Sequence, residues 1–436
     1  MTAVLATAVF VVTYVLIATE RVHRVAAALG GAAGMVLIGA VDADSAFHDR
    51  DTAIDWNVIF LLLGMMLLVG VIRQTGLFEY LAVWSAKRAH GRPFRIMASL
   101  VVLTAVASAL LDNVTTVLLV APVTVLVCRR LALDPVPFLI AEVLASNIGG
   151  TATLIGDPPN IIIASRAGLS FNDFVVHLAP LVVVLLVVLL GLCRLLFRSA
   201  LILHPDRVAE IMAVDERALI TDPRLLRESL AVLGLTIAGF VLHTSLHVDP
   251  SIVALLGAGL LVLLSRVTVE DALREVEWPT LAFFMGLFVT VGGLIEAGVI
   301  DHLARAAGDA TGGSLLTGSV LLVGVSGVLS GIIDNIPYVA TMSPVVEELV
   351  ATAEVGSTAP EVLWWALALG SDLGGNATAV GASANVVVLG IAERSGHRIS
   401  FWRFTRYGAL VAAVTLVLAG LYVWLRYFAL ANGLGG

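Results

Sequence analysis

The chain has 436 residues, 59% of them hydrophobic and 13% charged, with a mean hydropathy of +1.00 and a formal net charge of −8. Soluble domains carry about 25% charged residues, and the deficit here runs over almost the whole length, which excludes an ordinary soluble protein. No basic stripe offers itself to nucleic acid, and Lys87 is the only lysine. Lipid, or the chain's own packing, must solvate nearly all of it.

The first apolar run, Thr2 to Ala18, lacks a basic leader and is followed by Glu20-Arg21, so it reads as a retained span and not a cleaved signal. Runs approaching the ~20 residues a bilayer needs fall at about 2–18, 25–41, 57–75, 178–197, 228–246, 251–266, 279–297 and 407–428. Two further spans, near 137–167 and 361–391, are broken. The first break, Ser146-Asn-Ile-Gly-Gly-Thr-Ala-Thr-Leu-Ile-Gly-Asp-Pro-Pro-Asn160, is rich in Gly and Pro, which penalise helix interiors. Backbone that unwinds at membrane depth is tolerated where protein buries it or a polar cavity wets it.

Two runs, 96–128 and 315–350, carry a polar pair at the middle, Asp112-Asn113 and Asp334-Asn335. Each arm of the first is about 15 residues, or ~23 Å at helical rise, short of the ~30 Å hydrocarbon core. A re-entrant hairpin with its tip at mid-membrane fits that length; the second hairpin's arms are slightly longer. Residues 200–227 form the one long polar stretch, with an amphipathic surface helix expected over 206–217 and a helix start at Asp222-Pro223. This stretch reads as a cytoplasmic linker between halves 1–199 and 228–436.

The halves repeat. Residues 55–124 align with 277–346 without a gap, pairing Trp56, Gly64, Asp112, Asn113 and Pro122 with Trp278, Gly286, Asp334, Asn335 and Pro344. Ser371-Asp-Leu-Gly-Gly-Asn-Ala-Thr-Ala-Val-Gly-Ala-Ser-Ala-Asn385 then repeats the break. Placing every basic cluster in the cytoplasm needs ten crossings, two hairpins and both termini outside. The span from Trp56 then runs inward and that from Trp278 outward, so the repeat is inverted. The expected fold is an all-α polytopic membrane protein with two inverted repeats, about ten spans, two re-entrant hairpins and two broken helices. Secondary transporters use this plan and bind solute between the copies near the midplane.

Each hairpin tip and break exposes the N–H groups of a half-helix, with roughly half a positive charge at that end. Asp112 and Asp334 can cap the second hairpin arms, and Asp157 the half-helix after the first break. Convergence of these ends favours an anion or a hydrogen-bonding oxyacid. Thr115, Thr116, Asn147, Thr151, Thr153 and Asn160 offer hydroxyls and amides in the first half, and Asn376, Thr378, Ser383 and Asn385 in the second. Carbonyls at Gly149-Gly150 and Gly374-Gly375 could hold a cation. Intramembrane carboxylates are functional candidates by default, which singles out Asp112, Asp157, Asp334 and Asp372 for carriage of a proton or sodium ion. No other cofactor or metal is expected. Cys128 and Cys193 read as small apolar fillers, the histidines as interfacial side chains, and Trp56, Trp278, Trp402 and Trp424 as interface anchors. No Walker A, HExxH or GxSxG pattern is present, so no enzymatic activity is expected.

Asp-Asn-Val-Thr-Thr-Val-Leu-Leu-Val-Ala-Pro at 112–122 and Gly-Gly-Thr-Ala-Thr-Leu-Ile-Gly-Asp-Pro-Pro-Asn at 149–160 resemble the ion transporter superfamily. That group holds the arsenite permeases, sodium–proton antiporters of the same fold, the melanosomal P protein and the dicarboxylate and citrate carriers. The resemblance spans essentially the whole chain and implies an elevator-like carrier with its site between hairpin tips and breaks. Tips of the dicarboxylate branch carry Ser-Asn-Thr, whereas here they read Asp112-Asn113-Val114 and Asp334-Asn335-Ile336, more like the arsenite permease and P protein branch. The expectation is a multi-pass carrier of the inner or plasma membrane exporting arsenite or antimonite by proton antiport, with Asp112 and Asp334 in coupling. Rival readings are a sodium–proton antiporter, a citrate or dicarboxylate symporter and, distantly, an intramembrane aspartyl protease. A homodimer and a cytoplasmic ATPase subunit stay open as partners.

Overall fold

The computed structural model describes every residue except 20, 50, 51, 203–211, 266, 354–358 and 431–436. Among the described residues all regular structure is helical, and nine helices are long and apolar enough to cross a membrane. The first half runs α1 (Thr2–Thr19), α2 (Arg24–Leu37), α3 (Ala43–Phe47), α4 (Trp56–Arg73), α5 (Leu77–Arg88), α6 (Pro93–Leu110), α7 (Asn113–Arg130), α8 (Val136–Gly150), α9 (Pro158–Ala167), α10 (Phe171–His177) and α11 (Ala179–Leu196). The second runs α12 (Pro223–Leu246), α13 (Pro250–Leu264), α14 (Val269–Arg274), α15 (Trp278–Glu296), α16 (Val299–Thr311), α17 (Leu315–Ile332), α18 (Asn335–Thr352), α19 (Val362–Gly374), α20 (Ser383–Arg394) and α21 (Phe401–Trp424). The succession α4 to α9 thus recurs, element for element, as α15 to α20.

Packing pairs the halves crosswise. A Cβ on Gly64 would lie 2.7 Å from the Ala254 carbonyl carbon, and one on Gly286 would lie 2.8 Å from that of Ala28. These glycines let α4 close on α13 and α15 close on α2, as small residues do where hydrophobic exclusion from water cannot drive helices together. With α1 and α12, these four helices make a framework. Against it lies a body made of the hairpins α6/α7 and α17/α18, the broken helices α8/α9 and α19/α20, and the covering helices α11 and α21. Inside the body α7 packs on α20 and α18 on α9, again crosswise. Helices α8 and α19 are buried along their whole length, which sets the breaks deep in the molecule.

Several lengths differ from the sequence expectation. All four hairpin arms have 18 residues, about 27 Å at helical rise. They begin and end at Pro93, the Ser314 cap and the Arg129-Arg130 pair, so polar turn residues set the ends and not the edge of the apolar run. Conversely α2 and α13 have 14 and 15 residues, shorter than the runs at 25–41 and 251–266. The chain leaves α2 through Gly39, whose φ of 68° suits glycine. Half of the helix expected over 206–217 falls outside the described residues. In the described half, 213–215 are not helical and a 3-10 turn, Glu216–Leu219, follows, near which Lys87 donates to the Val214 carbonyl at 3.0 Å. Asp222 starts α12 as expected, accepting from the Arg224 and Leu225 amides at 2.8 and 3.0 Å. Cys128 and Cys193 are free thiols buried among apolar side chains.

Candidate functional site

Both hairpin tips are capped by their own aspartates. Asp112 Oδ1 accepts from the Thr115 amide at 2.7 Å and Asp334 Oδ1 from the Ile336 amide at 3.0 Å, satisfying N–H groups the helix leaves open. Each tip is then stitched to its neighbouring break by the same bonds. Ser108 and Ser330 donate to the carbonyls of Ser146 and Ser371 at 2.7 and 2.5 Å. Thr153 and Thr378 donate to the carbonyls of Ala109 and Gly331 at 2.6 and 2.7 Å. Asn160 spans its break by donating to the Gly150 and Thr153 carbonyls at 3.4 and 3.1 Å. Asn385 does the same to Gly375 and Thr378 at 2.8 Å each.

These bonds also engage the glycine carbonyls. The Gly150 and Gly375 carbonyls are occupied by asparagine amides, and those of Gly149 and Gly374 accept from the Ala152 and Ala377 N–H groups at 3.0 and 2.8 Å. The glycines serve close approach. A Cβ on Gly149 would sit 2.3 Å from the Ala105 carbonyl oxygen, and one on Gly374 would sit 2.4 Å from that of Gly327.

The two halves meet on Asp157. Asn113 Nδ2 donates to its Oδ2 at 2.8 Å, and Asn335 Nδ2 reaches its two oxygens at 3.3 and 3.4 Å. Asp157 makes no side-chain cap on α9, contrary to the sequence reading. The reason is local: Pro158 and Pro159 open that helix without N–H groups, and the Asn160 amide already bonds the Asp157 carbonyl at 3.0 Å. The carboxylate is therefore left for the tips. Asn113 also reaches Asn147 Oδ1 at 3.3 Å, and Asn147 Nδ2 donates to Asn376 and Asn385 at 3.0 and 3.1 Å. Asp372 is buried on α19 within electrostatic range of Asp157, faced by Thr151 and Asn160. Thr151 itself donates to the Asn147 carbonyl at 2.9 Å, and Thr116 is fully buried.

On the framework side a cavity of about 30 Å³ is lined by Asp112, Thr115, Ser383, Glu277 and Arg24. Arg24 Nη1 donates to Ser383 Oγ at 2.7 Å, Ser383 donates to Asp334 Oδ2 at 2.7 Å, and the guanidinium lies 5.5 Å over the Phe283 ring. The Tyr14 hydroxyl of α1 makes a second framework-to-body contact, bonding Thr341 and the Pro337 carbonyl of α18. At the other end of the same interface a recess of about 700 Å³ opens between α4, α15, α9 and α18, with the Arg166–Glu347 ion pair (2.7 Å) in its wall. Sequence reasoning missed Arg24 as a site residue. It also missed the hydroxyls of Ser108, Ser146, Ser330 and Ser371. The signal for the serines was their identical placement in both copies.

A family model described as citrate transporter (CitMHS) matches residues 14–370. An uncharacterized transporter of Mycobacterium tuberculosis (strain ATCC 25618 / H37Rv) is 58% identical over 98% of this chain and 100% of its own. The P protein of Homo sapiens is 36% identical over 96% of this chain and 59% of its own. Among solved structures, the YdaH transporter of Alcanivorax borkumensis superposes with a TM-score of 0.59 at 16% identity, over 84% of each chain, a likeness of fold alone. The resemblance to the ion transporter superfamily is borne out. On the span of the family match and the identity of these relatives, the chain belongs to the citrate transporter family and is a multi-pass membrane transporter.

Proposed function

We propose that this transporter is a proton-coupled secondary carrier exporting arsenite or antimonite across the inner (plasma) membrane, with Asp157 and Asp372 carrying the proton. One observation carries the reading. Where both hairpin tips converge on Asp157, the buried atoms Asn113 Oδ1, Asn160 Oδ1, Asp372 Oδ2 and Asn376 Nδ2 have no protein partner. Each such group costs about 1–3 kcal/mol when left unpaired, so the cluster suits a small hydrogen-bonding guest. Arsenous acid, uncharged and trihydroxy at neutral pH, both donates and accepts there. A bare citrate trianion, the solute in the family's name, would instead approach Asp112, Asp157, Asp334 and Asp372 with the Arg24 guanidinium beside them.

Asp112 and Asp334 are better assigned to holding the tips, since each spends an oxygen on its own helix start. The crosswise pairing of the halves suits a two-fold repeat, and the basic residues favour its inverted form with both termini outside and the linker at 200–227 in the cytoplasm. The division into framework and body, touching through Arg24 and Tyr14, supports an elevator-like slide of the body. A sodium–proton antiporter is the second reading, favoured because most of the unpartnered atoms are oxygens of the kind a hard cation takes.

Purified protein in proteoliposomes loaded with a pH dye decides between them. Net arsenite flux accompanied by opposite proton movement is expected. Sodium-driven proton release with no arsenite flux would select the antiporter, and citrate counterflow without either would overturn both.

A further inference from the structure

Glu142 lies at mid-length of α8, 1% exposed, and nothing in the site above uses it. Its Oε1 accepts from Thr124 Oγ1 of α7 at 2.5 Å, while Oε2 has no partner. Two more buried hydroxyls on the helices packed against α8 are also unpartnered, Thr104 on α6 and Thr116 on α7. The layer has a regular order. Ser108 and Ser146 bond each other beside the tip, with Ser146 Oγ donating to the Asn113 carbonyl at 2.9 Å. One turn back on α6 stands Thr104, and one turn back on α8 stands Glu142.

The second copy shows what this layer looks like without that chemistry. The positions matching Thr104 and Thr116 are Ser326 and Tyr338, whose hydroxyls bond each other at 2.9 Å. The positions matching Glu142 and Thr124 are Leu367 and Val346, both buried. The same packing of hairpin on broken helix is therefore built with an aliphatic pair and a bridging phenol. The fold does not require a carboxylate at 142. In the first copy the phenol is gone, and Thr104 Oγ1, Thr116 Oγ1 and Glu142 Oε2 each lack a protein partner. Buried polar groups in that state ordinarily hold water, and an intramembrane carboxylate beside them is a candidate for ion carriage.

We propose that Glu142 is a proton-binding residue of the transport cycle, reached from the Asn113–Asp157 cluster through water held by Thr104, Thr116 and the Ser108–Ser146 pair. The inference rests on the proton-coupled reading. A proton leaves the Asp157 carboxyl, each hydroxyl or water on the way accepts one proton and gives one up, and the Glu142 carboxylate takes it. Among the elements packed on α8, α7 carries Cys128 one turn beyond Thr124, and Asp134 lies in the connection that follows α7. Helix α11 carries Cys193, and α19 carries Asp372 at the level of the break. Helix α6 has Arg95 at its exposed start, α20 ends in Glu393 and Arg394, and α21 opens with Arg403 and Arg406.

Full-length protein in dye-loaded proteoliposomes tests this with arsenite as the probe. Glu142→Gln should slow proton-driven net flux about tenfold or more, while counterflow, which needs no net proton movement, falls by no more than about twofold. Glu142→Asp should restore part of the proton flux. Thr104→Ser with Thr116→Tyr copies the dry second-half layer and should reproduce the glutamine phenotype. Glu142→Leu with Thr124→Val copies Leu367 and Val346, so it keeps the packing and serves as the folding control. Proton flux at the wild-type rate in Glu142→Gln, or equal losses of net flux and counterflow, would overturn the proposal. Should wild-type protein move no protons with arsenite, the coupling reading fails by itself. Infrared titration then decides: a pH-dependent carboxyl C=O band lost in Glu142→Gln supports a proton site, and its absence in wild type sinks it.

Discussion

Replacing Asp157 by asparagine separates a structural carboxylate from a proton carrier. The side chain keeps its size, yet it offers one acceptor oxygen where Asn113 Nδ2 at 2.8 Å and Asn335 Nδ2 at 3.3 and 3.4 Å now share two. The shorter bond should survive, leaving the Asn335 amide facing an NH₂ group. A buried donor stranded in that way costs about 1–3 kcal/mol, so the melting temperature in detergent should fall by several degrees without loss of fold. Transport should fail differently, because an amide does not bind and release a proton by titration near neutral pH. Arsenite-coupled dye response should drop by two orders of magnitude or so. The contrast is Asp112→Asn: asparagine caps helices as well as aspartate does, so the bond to the Thr115 amide at 2.7 Å is retained and coupling should change by no more than a few-fold. Coupling kept in Asp157→Asn and lost in Asp112→Asn would refute the assignment and return the proton to the hairpin tip.

Two further substitutions follow from the packing and the cavity. Gly149→Ala and Gly374→Ala should each lower thermal stability by about 1–3 kcal/mol, since the new methyls fall 2.3 and 2.4 Å from backbone oxygens; Gly191→Ala, with open space at its Cβ, is the control that should not. Arg24→Gln and Ser383→Ala interrupt one chain of bonds, so their effects on the arsenite KM should overlap instead of adding, with a coupling of about 0.5–3 kcal/mol in a double-mutant cycle. Strict additivity would mean that they act through separate contacts.

The architecture was legible because its markers are punctuation in an apolar text. Gly-Gly, Asp-Pro-Pro and the Asp-Asn pairs interrupt runs where lipid demands continuity, and the same interruptions recur in the second half. The caps at Asp112, Asp334 and Asp222 followed from the same local rule. The reading failed at Asp157 because an acid before Pro looks like a cap, although two consecutive prolines remove the donors it would serve. It did not foresee that Asn160 and Asn385, from the helix after each break, reach back across it to the glycine carbonyls. Hairpin arm lengths came out short because hydropathy ends before the helix does, where Arg129-Arg130 still sit in regular turns. Glu142 stood in plain view in a predicted span, but its meaning needs the contrast with Leu367, which only the packed layer supplies.

On the proposed reading, function resides where the copies differ. The stitching bonds are duplicated almost atom for atom, so they account for shape, whereas Asn147 matches Asp372, and Asp157 matches Ala382. A site that used the pseudo-symmetry would tolerate exchanging the first pair, and the geometry says that it should not. Asn147 Nδ2 donates to Asn376 Oδ1 and Asn385 Oδ1 at 3.0 and 3.1 Å, a role aspartate cannot take. Asn376 can respond by turning its unpartnered Nδ2 toward the new acid. Asn385 cannot, because its amide is held by the Gly375 and Thr378 carbonyls at 2.8 Å each, so its oxygen would face a carboxylate across a buried gap. Asn147→Asp combined with Asp372→Asn should therefore remain as inactive as Asn147→Asp alone, read as arsenite counterflow. Recovery of counterflow in the double variant would mean that the two breaks are interchangeable, and that the acid's position between them carries no information.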